Sequence, residues 1–199
     1  MHTLKLRAAL LIITASSLTL ALPSVGRDPP PVVPMGALAH ASAAFEQSTG
    51  GRVMEVRVAN APGAPAFEAA IAKGGAVLYM RIASPSEDVT EIDVNHLPSW
   101  LVSYHMDAYI RSISKAEVPL DAAIVKAEAR DHAPAVDAGI AKPLSGTNAV
   151  LAYFVETIKG SKPQQSAIDA TTGAFIANPD ELYEPHKPID LARRLAPAP

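Results

Sequence analysis

The sequence predicts an α+β protein, and three observations carry that reading. Helix-favouring sequence is followed by runs in which apolar and polar residues alternate with period two. The order helix, strand, strand, strand occurs twice, at 36–83 and at 119–176. Clusters rich in Gly, Pro and Asn punctuate the runs where turns would fall. The chain of 199 residues is long enough for one ordinary domain or two small ones. At 49% hydrophobic and 19% charged residues it has a globular composition, and with 5% aromatics its core must lean on Ala, Val, Ile and Leu.

The elements follow in order. Gly36 to Gln47 reads as a helix, with Leu38, Ala41, Ala44 and Phe45 able to share one face, and Thr49-Gly50-Gly51 stops it because glycine supplies a left-handed cap. Met54 to Val58 alternates cleanly and reads as a strand. Phe67 to Ile71 is the second strand, and Lys73-Gly74-Gly75 is a hairpin signal before the third, which runs through Leu78, Met80 and Ile82. A fourth strand is expected at 89–94, and a helix from Trp100 to Ile113. Leu120, Ala123, Ile124 and Ala127 are helically spaced in a helix reaching about Arg130. Gly139, Pro143 and Gly146 break every pattern in 135–148, so that stretch is expected to be a loop with room for one short strand. Val150 to Ile158 is a strand, Gly160 to Pro163 a turn, and Ser166 to Asp169 the next strand. Beyond 178, prolines punctuate a tail in which 189–195 is helix-favouring.

The N-terminus predicts export. Lys5 and Arg7 precede an apolar run from Ala8 to Leu22, short against the ~20 residues that a spanning helix needs. Thr19-Leu20-Ala21 and Ser24-Val25-Gly26 offer small residues of the kind that signal peptidase reads. Cleavage lowers the basic count from 17 to 15 against 20 acids, taking the net charge from −3 to −5. The balance is acidic and no basic face stands out, so nucleic acid is not an expected partner. A membrane is expected as a partner only where the leader is retained. The absence of cysteine removes disulfides, thiolate nucleophiles and zinc–thiolate sites from consideration. Together these features place the protein in a bacterial periplasm or outside the cell.

The second half resembles the PepSY module of secreted bacterial proteins and peptidase propeptides. The resemblance rests on Leu120-Asp121-Ala122-Ala123 with Ala127, on Tyr153-Phe154-Val155-Glu156, and above all on Ile168-Asp169-Ala170-Thr171-Thr172-Gly173-Ala174-Phe175-Ile176. The first half is similar through 49–56 and Ala66-Phe67-Glu68-Ala69, and departs from the pattern at 83–88. The resemblance implies two PepSY-like modules, each a helix packed on a curved antiparallel β-sheet. The division is then a signal peptide at 1–26, a Pro-rich linker at 27–35, module one at 36–96, a connecting helix at 97–114, module two at 115–178 and a C-terminal tail at 179–199.

The residues able to bear chemistry also have plainer roles. Asp169, Thr171 and Gly173 are expected to form a structural turn: Gly173 can take positive φ at no Cβ cost, and the two polar side chains can bond nearby backbone amides. Ser112-Ile113-Ser114-Lys115 matches the Ser-x-x-Lys of penicillin-binding enzymes, yet it closes a predicted helix and no Lys-Thr-Gly follows. His96, His105, His132 and His186 lack the three- or four-residue spacing that sets two metal ligands on one helical face. Glu87, Asp88, Glu91 and Asp93 read as a solvated acidic face without an EF-hand pattern. No catalytic residue, metal or cofactor is therefore assigned, and the expectation is a protein that is not an enzyme. The resemblance implies a periplasmic or secreted binding module that binds or restrains an envelope protein or peptide, a peptidase being one such partner. Sheet edges left free by the meanders would take an extended segment, and duplicated modules would grip one partner twice. The alternative is a small-ligand or metal sensor accessory of the cell envelope.

Overall fold

A computed structural model describes residues 33–59, 65–83, 95–97 and 110–184. In chain order the elements are α1 (Ala37–Thr49), β1 (Arg52–Ala59), β2 (Ala66–Lys73), β3 (Ala76–Ile82), β4 (Asn95–Leu97), α2 (Leu120–Asp131), β5 (Ala135–Ile140), β6 (Ala152–Lys159), β7 (Lys162–Asp169) and a 3₁₀ turn (Pro179–Glu181). Residues 110–113 are also helical. The predicted fourth strand at 89–94, the helix before 110, the leader, most of the linker and the stretch 189–195 lie outside the described residues.

The strands form one antiparallel sheet of order β4-β3-β2-β1-β5-β6-β7. Its centre is the pairing of β1 with β5, the first strands of the two meanders, through Glu55–Gly139, Val56–Ala138 and Arg57–Asp137. The structure thus joins the two predicted sheets into one. Each of these first strands also carries a bulge near its start, between Val53 and Glu55 in β1 and between Ala135 and Asp137 in β5.

β5 is where 135–148 departs from the predicted loop. Ala138 and Gly139 lie between β1 and β6, fully covered, and their small side chains leave no alternation to read. Gly139 is paired with Glu55 of β1 on one side and with Phe154 of β6 on the other. β7 likewise begins four residues before the predicted start. Pro163 is tolerated inside it because β7 lies at the sheet edge, where a missing N–H breaks no ladder bond on its outer side.

Register assigns the side chains to two faces. Val56, Ala69, Met80, Ala138 and Val155 share a row with Ser166, which reaches the α2 side chains Arg130 and Asp131, so this row lies under the helices. α1 and α2 pack on each other over it, with Leu38, Phe45, Ile124 and Ala127 fully buried. The next row on the opposite face reads Arg81, Glu68, Arg57, Asp137, Glu156 and Gln165. Arg57 bonds Glu68 through Nε and Nη2 at 3.0 and 2.9 Å, a forked contact in the middle of this charged row.

α2 departs from a simple amphipathic helix. Its buried positions are Leu120, Ala123, Ile124, Ala127, Glu128 and Asp131, so two carboxylates continue the apolar stripe. Glu128 is 3% exposed, and its two oxygens accept from Gly36 N at 2.8 Å and Ala135 N at 2.9 Å. One side chain thereby ties the entry to α1 and the start of β5 to the end of α2. Among the described residues no helix is long and apolar enough to cross a membrane.

Candidate functional site

The loop that closes the second meander is built from backbone geometry upward. Gly173 sits at φ 70°, the left-handed region that a β-branched side chain resists. Its N–H donates to Asp169 O at 2.8 Å, and Asp169 N donates to Ala174 O at 2.9 Å. Asp169 Oδ1 accepts from Thr171 N at 2.7 Å and Thr172 N at 3.1 Å. The hydroxyl that accepts an amide is that of Thr172, from Ala174 N at 3.2 Å, rather than that of Thr171. The chain then folds back along β7: Phe175 bridges Ile168, and Ile176 N donates to Ala167 O at 2.9 Å.

Helix α2 grips this turn with two cations. Lys126 Nζ donates to Gly173 O and stands 5.4 Å from the centre of the Phe175 ring. Arg130 lies 4.2 Å from the same centre, a cation–π contact. Its Nε donates to Asp131 Oδ1 at 2.9 Å, and its Nη2 donates to Ser166 Oγ. Asp131 Oδ2 accepts from Thr157 Oγ1 at 2.8 Å and from Ser166 Oγ at 3.4 Å. Burial opposes the Asp131 charge, but the bonds from Arg130 and Thr157, the Arg130 charge and the Ser166 bond outweigh it. The carboxyl is therefore held below its ordinary value, where it is a poor proton acceptor. Chemically, the arrangement locks a turn to a helix and leaves two cations at its rim.

Gly173→Val is expected to lower stability by about 1–3 kcal/mol, chiefly from the strained φ. Open space does not oppose it, since an added Cβ would meet Val118 at 3.5 Å, an ordinary contact. Asp169→Asn should cost less, because an amide oxygen can still accept from Thr171 and Thr172. Thermal melts of both variants check this. An Asp169→Asn protein that keeps its melting temperature and loses partner binding would give Asp169 a direct role.

The other sequence candidates are not brought together. Ser112 contributes its carbonyl to Lys115 N at 2.9 Å as the 110–113 helix ends, and Ser114 Oγ donates to Arg111 O at 2.8 Å. These are helix-terminus bonds. His132 is exposed and caps α2 in the left-handed conformation at φ 50°. His96 lies on β4 opposite Leu78. His105, His186, Glu87, Asp88, Glu91 and Asp93 lie outside the described residues. Among those described, no group of three or more His, Asp or Glu could hold a metal ion.

The sheet edges differ from the expected open meanders. β1 and β5 are spent on each other. On β7 the outward-facing Ala167 O accepts from Ile176 N, and Asp169 N donates to Ala174 O. By alternation Pro163 and Gln165 are the other outward positions, and Pro163 has no N–H. A strand adding at this edge would therefore meet no donor at Pro163 and a spent donor at Asp169.

Sequence reasoning missed a second small core on the sheet face away from the helices. Ala141, Ala152, Phe154 and Ala167 form it, and Tyr183, from the predicted tail, covers it. Tyr183 is 1% exposed and meets Phe154 edge-to-face at 5.7 Å, with its hydroxyl donating to Val150 O at 2.9 Å. Leu144 N donates to Leu182 O and Glu184 N to Lys142 O, both at 2.8 Å, so the segment lies antiparallel to 142–144. The available signal was the apolar pair Leu182-Tyr183 set between Asp180-Glu181 and Glu184.

No family model matches the chain. No curated protein matches it either. Among solved structures, a crystal structure described as that of a "putative lipoprotein" from Clostridium difficile 630 is similar over 68% of this chain and 86% of its own, at 12% identity and a TM-score of 0.43.

Proposed function

We propose that this is an exported, non-catalytic binding protein of the bacterial cell envelope, made of two PepSY-like helix–meander units that bind or restrain an envelope protein or peptide, a peptidase being one such partner. The observation that carries the reading is the closure at 169–176. It is the stretch on which the resemblance rests, and in it Asp169 Oδ1 accepts from the Thr171 and Thr172 amides while Lys126 of α2 bonds Gly173 O. Residues so engaged serve shape, and a surface of fixed shape serves recognition. The short apolar run behind Lys5 and Arg7 supports export.

Two measurements test the proposal. Mass spectrometry of the protein from its native source should find an N-terminus between Leu22 and Arg27. Cross-linking in the intact envelope followed by purification should return one stoichiometric partner. Full-length protein confined to the cytosol, or purified protein that turns over a peptide or ester substrate and holds no partner, would overturn it.

A further inference from the structure

The segment 177–184 is bound to the rest of the chain in the manner of a peptide ligand. It meets the sheet through one aromatic anchor in an apolar patch and one hydroxyl bond to a backbone carbonyl, and it meets 142–147 through two antiparallel backbone bonds, one bond from Thr147 Oγ1 to Leu182 O at 3.3 Å and one rim ion pair. The anchor is Tyr183 against Phe154, Ala141, Ala152 and Ala167; the rim pair joins Lys142 Nζ to Glu184 at 2.6 Å, with half-exposed side chains. That set is what β-augmentation uses: main-chain bonds supply affinity and a side-chain pocket supplies selection. Its ties are also few. The rim pair is exposed and contributes little, and the 3₁₀ turn at Pro179–Glu181 buries none of its residues. It begins with a two-residue joint, Ala177–Asn178, that follows Ile176, which is held to Ala167, and Asn178 takes the left-handed turn conformation at φ 50°.

We propose that the face of β5, β6 and β7 turned away from the helices is a recognition groove for an extended, tyrosine-bearing acidic segment of the partner protein, and that residues 177–184 occupy it as a displaceable internal strap. This deepens, and rests on, the binding role proposed above. The occupant is specified by the strap itself. A tyrosine is required because the ring fills the Phe154 patch while the hydroxyl reaches Val150 O, and phenylalanine cannot do the second. Acidic flanks are favoured because Asp180, Glu181 and Glu184 surround the anchor and Lys142 waits at the rim. As a tethered occupant the strap acts at an effective concentration on the order of millimolar, so it screens out weak competitors.

The test titrates a labelled peptide of sequence Ala-Asn-Pro-Asp-Glu-Leu-Tyr-Glu, copied from 177–184, against full-length chains by fluorescence anisotropy. Tyr183→Ala should bind it at least about tenfold more tightly than wild type, because its own strap no longer competes. Tyr183→Phe keeps the ring, and hence the fold, while losing the bond to Val150; it should fall between the two. A peptide with Tyr replaced by Ala should bind none of them. Equal affinity for all three chains, or affinity that ignores the peptide's tyrosine, would overturn the strap. Should Tyr183→Ala fail to fold, Tyr183→Phe against wild type decides alone. Partner capture by Tyr183→Ala and wild type separates the two claims. A failed titration with the partner still captured rejects the groove only, whereas a successful titration with no partner captured by either chain rejects the envelope-binding role.

Discussion

Replacing Glu128 by Ala is expected to destabilise the protein by about 2–5 kcal/mol, since the buried Ala135 N and the partly buried Gly36 N lose their acceptor, and an orphaned donor costs roughly 1–3 kcal/mol, less where water can reach it. Gly36 N and Ala135 N lie 92 residues and 7 residues away in sequence, so the loss is felt where α1 begins and where β5 begins. The Ala135 bond is buried and the Gly36 bond partly so, and Glu128 itself is 3% exposed. Glu128→Gln is expected to cost roughly half as much: its amide oxygen accepts one of the two bonds, but its NH₂ faces the other donor. Glu184→Ala serves as a control, since its ion pair with Lys142 is exposed and its removal should cost well under about 1 kcal/mol. Urea unfolding of the four proteins, compared at equal m-values, checks the order. A Glu128→Ala midpoint indistinguishable from that of Glu184→Ala would mean that the two amides find other acceptors.

The same residue shows what could and could not be read from sequence. The α2 stripe of Leu120, Ala123, Ile124 and Ala127 was legible because apolar residues at helical spacing have one reading. Glu128 and Asp131 continue that stripe at the same spacing, but a carboxylate is presumed to face water until a partner is known. Three of their partners, Gly36, Thr157 and Ser166, come from distant segments, and Ala135 lies beyond the end of the helix, so no helical pattern announces them. The hairpins were legible for the opposite reason: Gly74, Gly75 and Gly160 write a local backbone requirement directly into the chain, and all three have positive φ. β5 was illegible because Ala138 and Gly139 are buried for lack of size rather than for hydrophobic bulk. For the candidate groove, Phe154 could be placed on a strand but not on a face of its own. That required knowing that Val155 lies under the helices, and that Tyr183 returns from the tail to cover the other side.

Separating the chain into residues 1–114 and 115–199 is expected to leave neither part able to fold as a stable monomer, and mixing the two should restore the folded protein. The duplicated order of elements invites the opposite expectation, in which each unit folds and binds by itself. The sheet decides between them. β1 and β5 are each other's neighbours, so the cut would bare two strand edges at the centre of the sheet, with Met54 and Val56 and with Ala138 at 0% exposure in the whole protein. Paired edges laid open in this way invite self-association. The cut also parts α1 from α2, Glu128 from Gly36, and Arg52 Nη2 from Ala116 O at 3.1 Å. Parts of roughly 85–115 residues that lose a shared core retain little margin against chain entropy, because net stability is only about 5–15 kcal/mol for a whole domain. Circular dichroism and gel filtration of each part, alone and mixed, measure the outcome. Two monomeric parts, each melting cooperatively near the temperature of the whole, would show that the β1–β5 seam is incidental. If instead only the mixture folds, the two units cannot act as independent grips whose affinities multiply through a tether. A partner then meets one continuous surface, and a mutation at the seam should weaken binding at both ends of the sheet together.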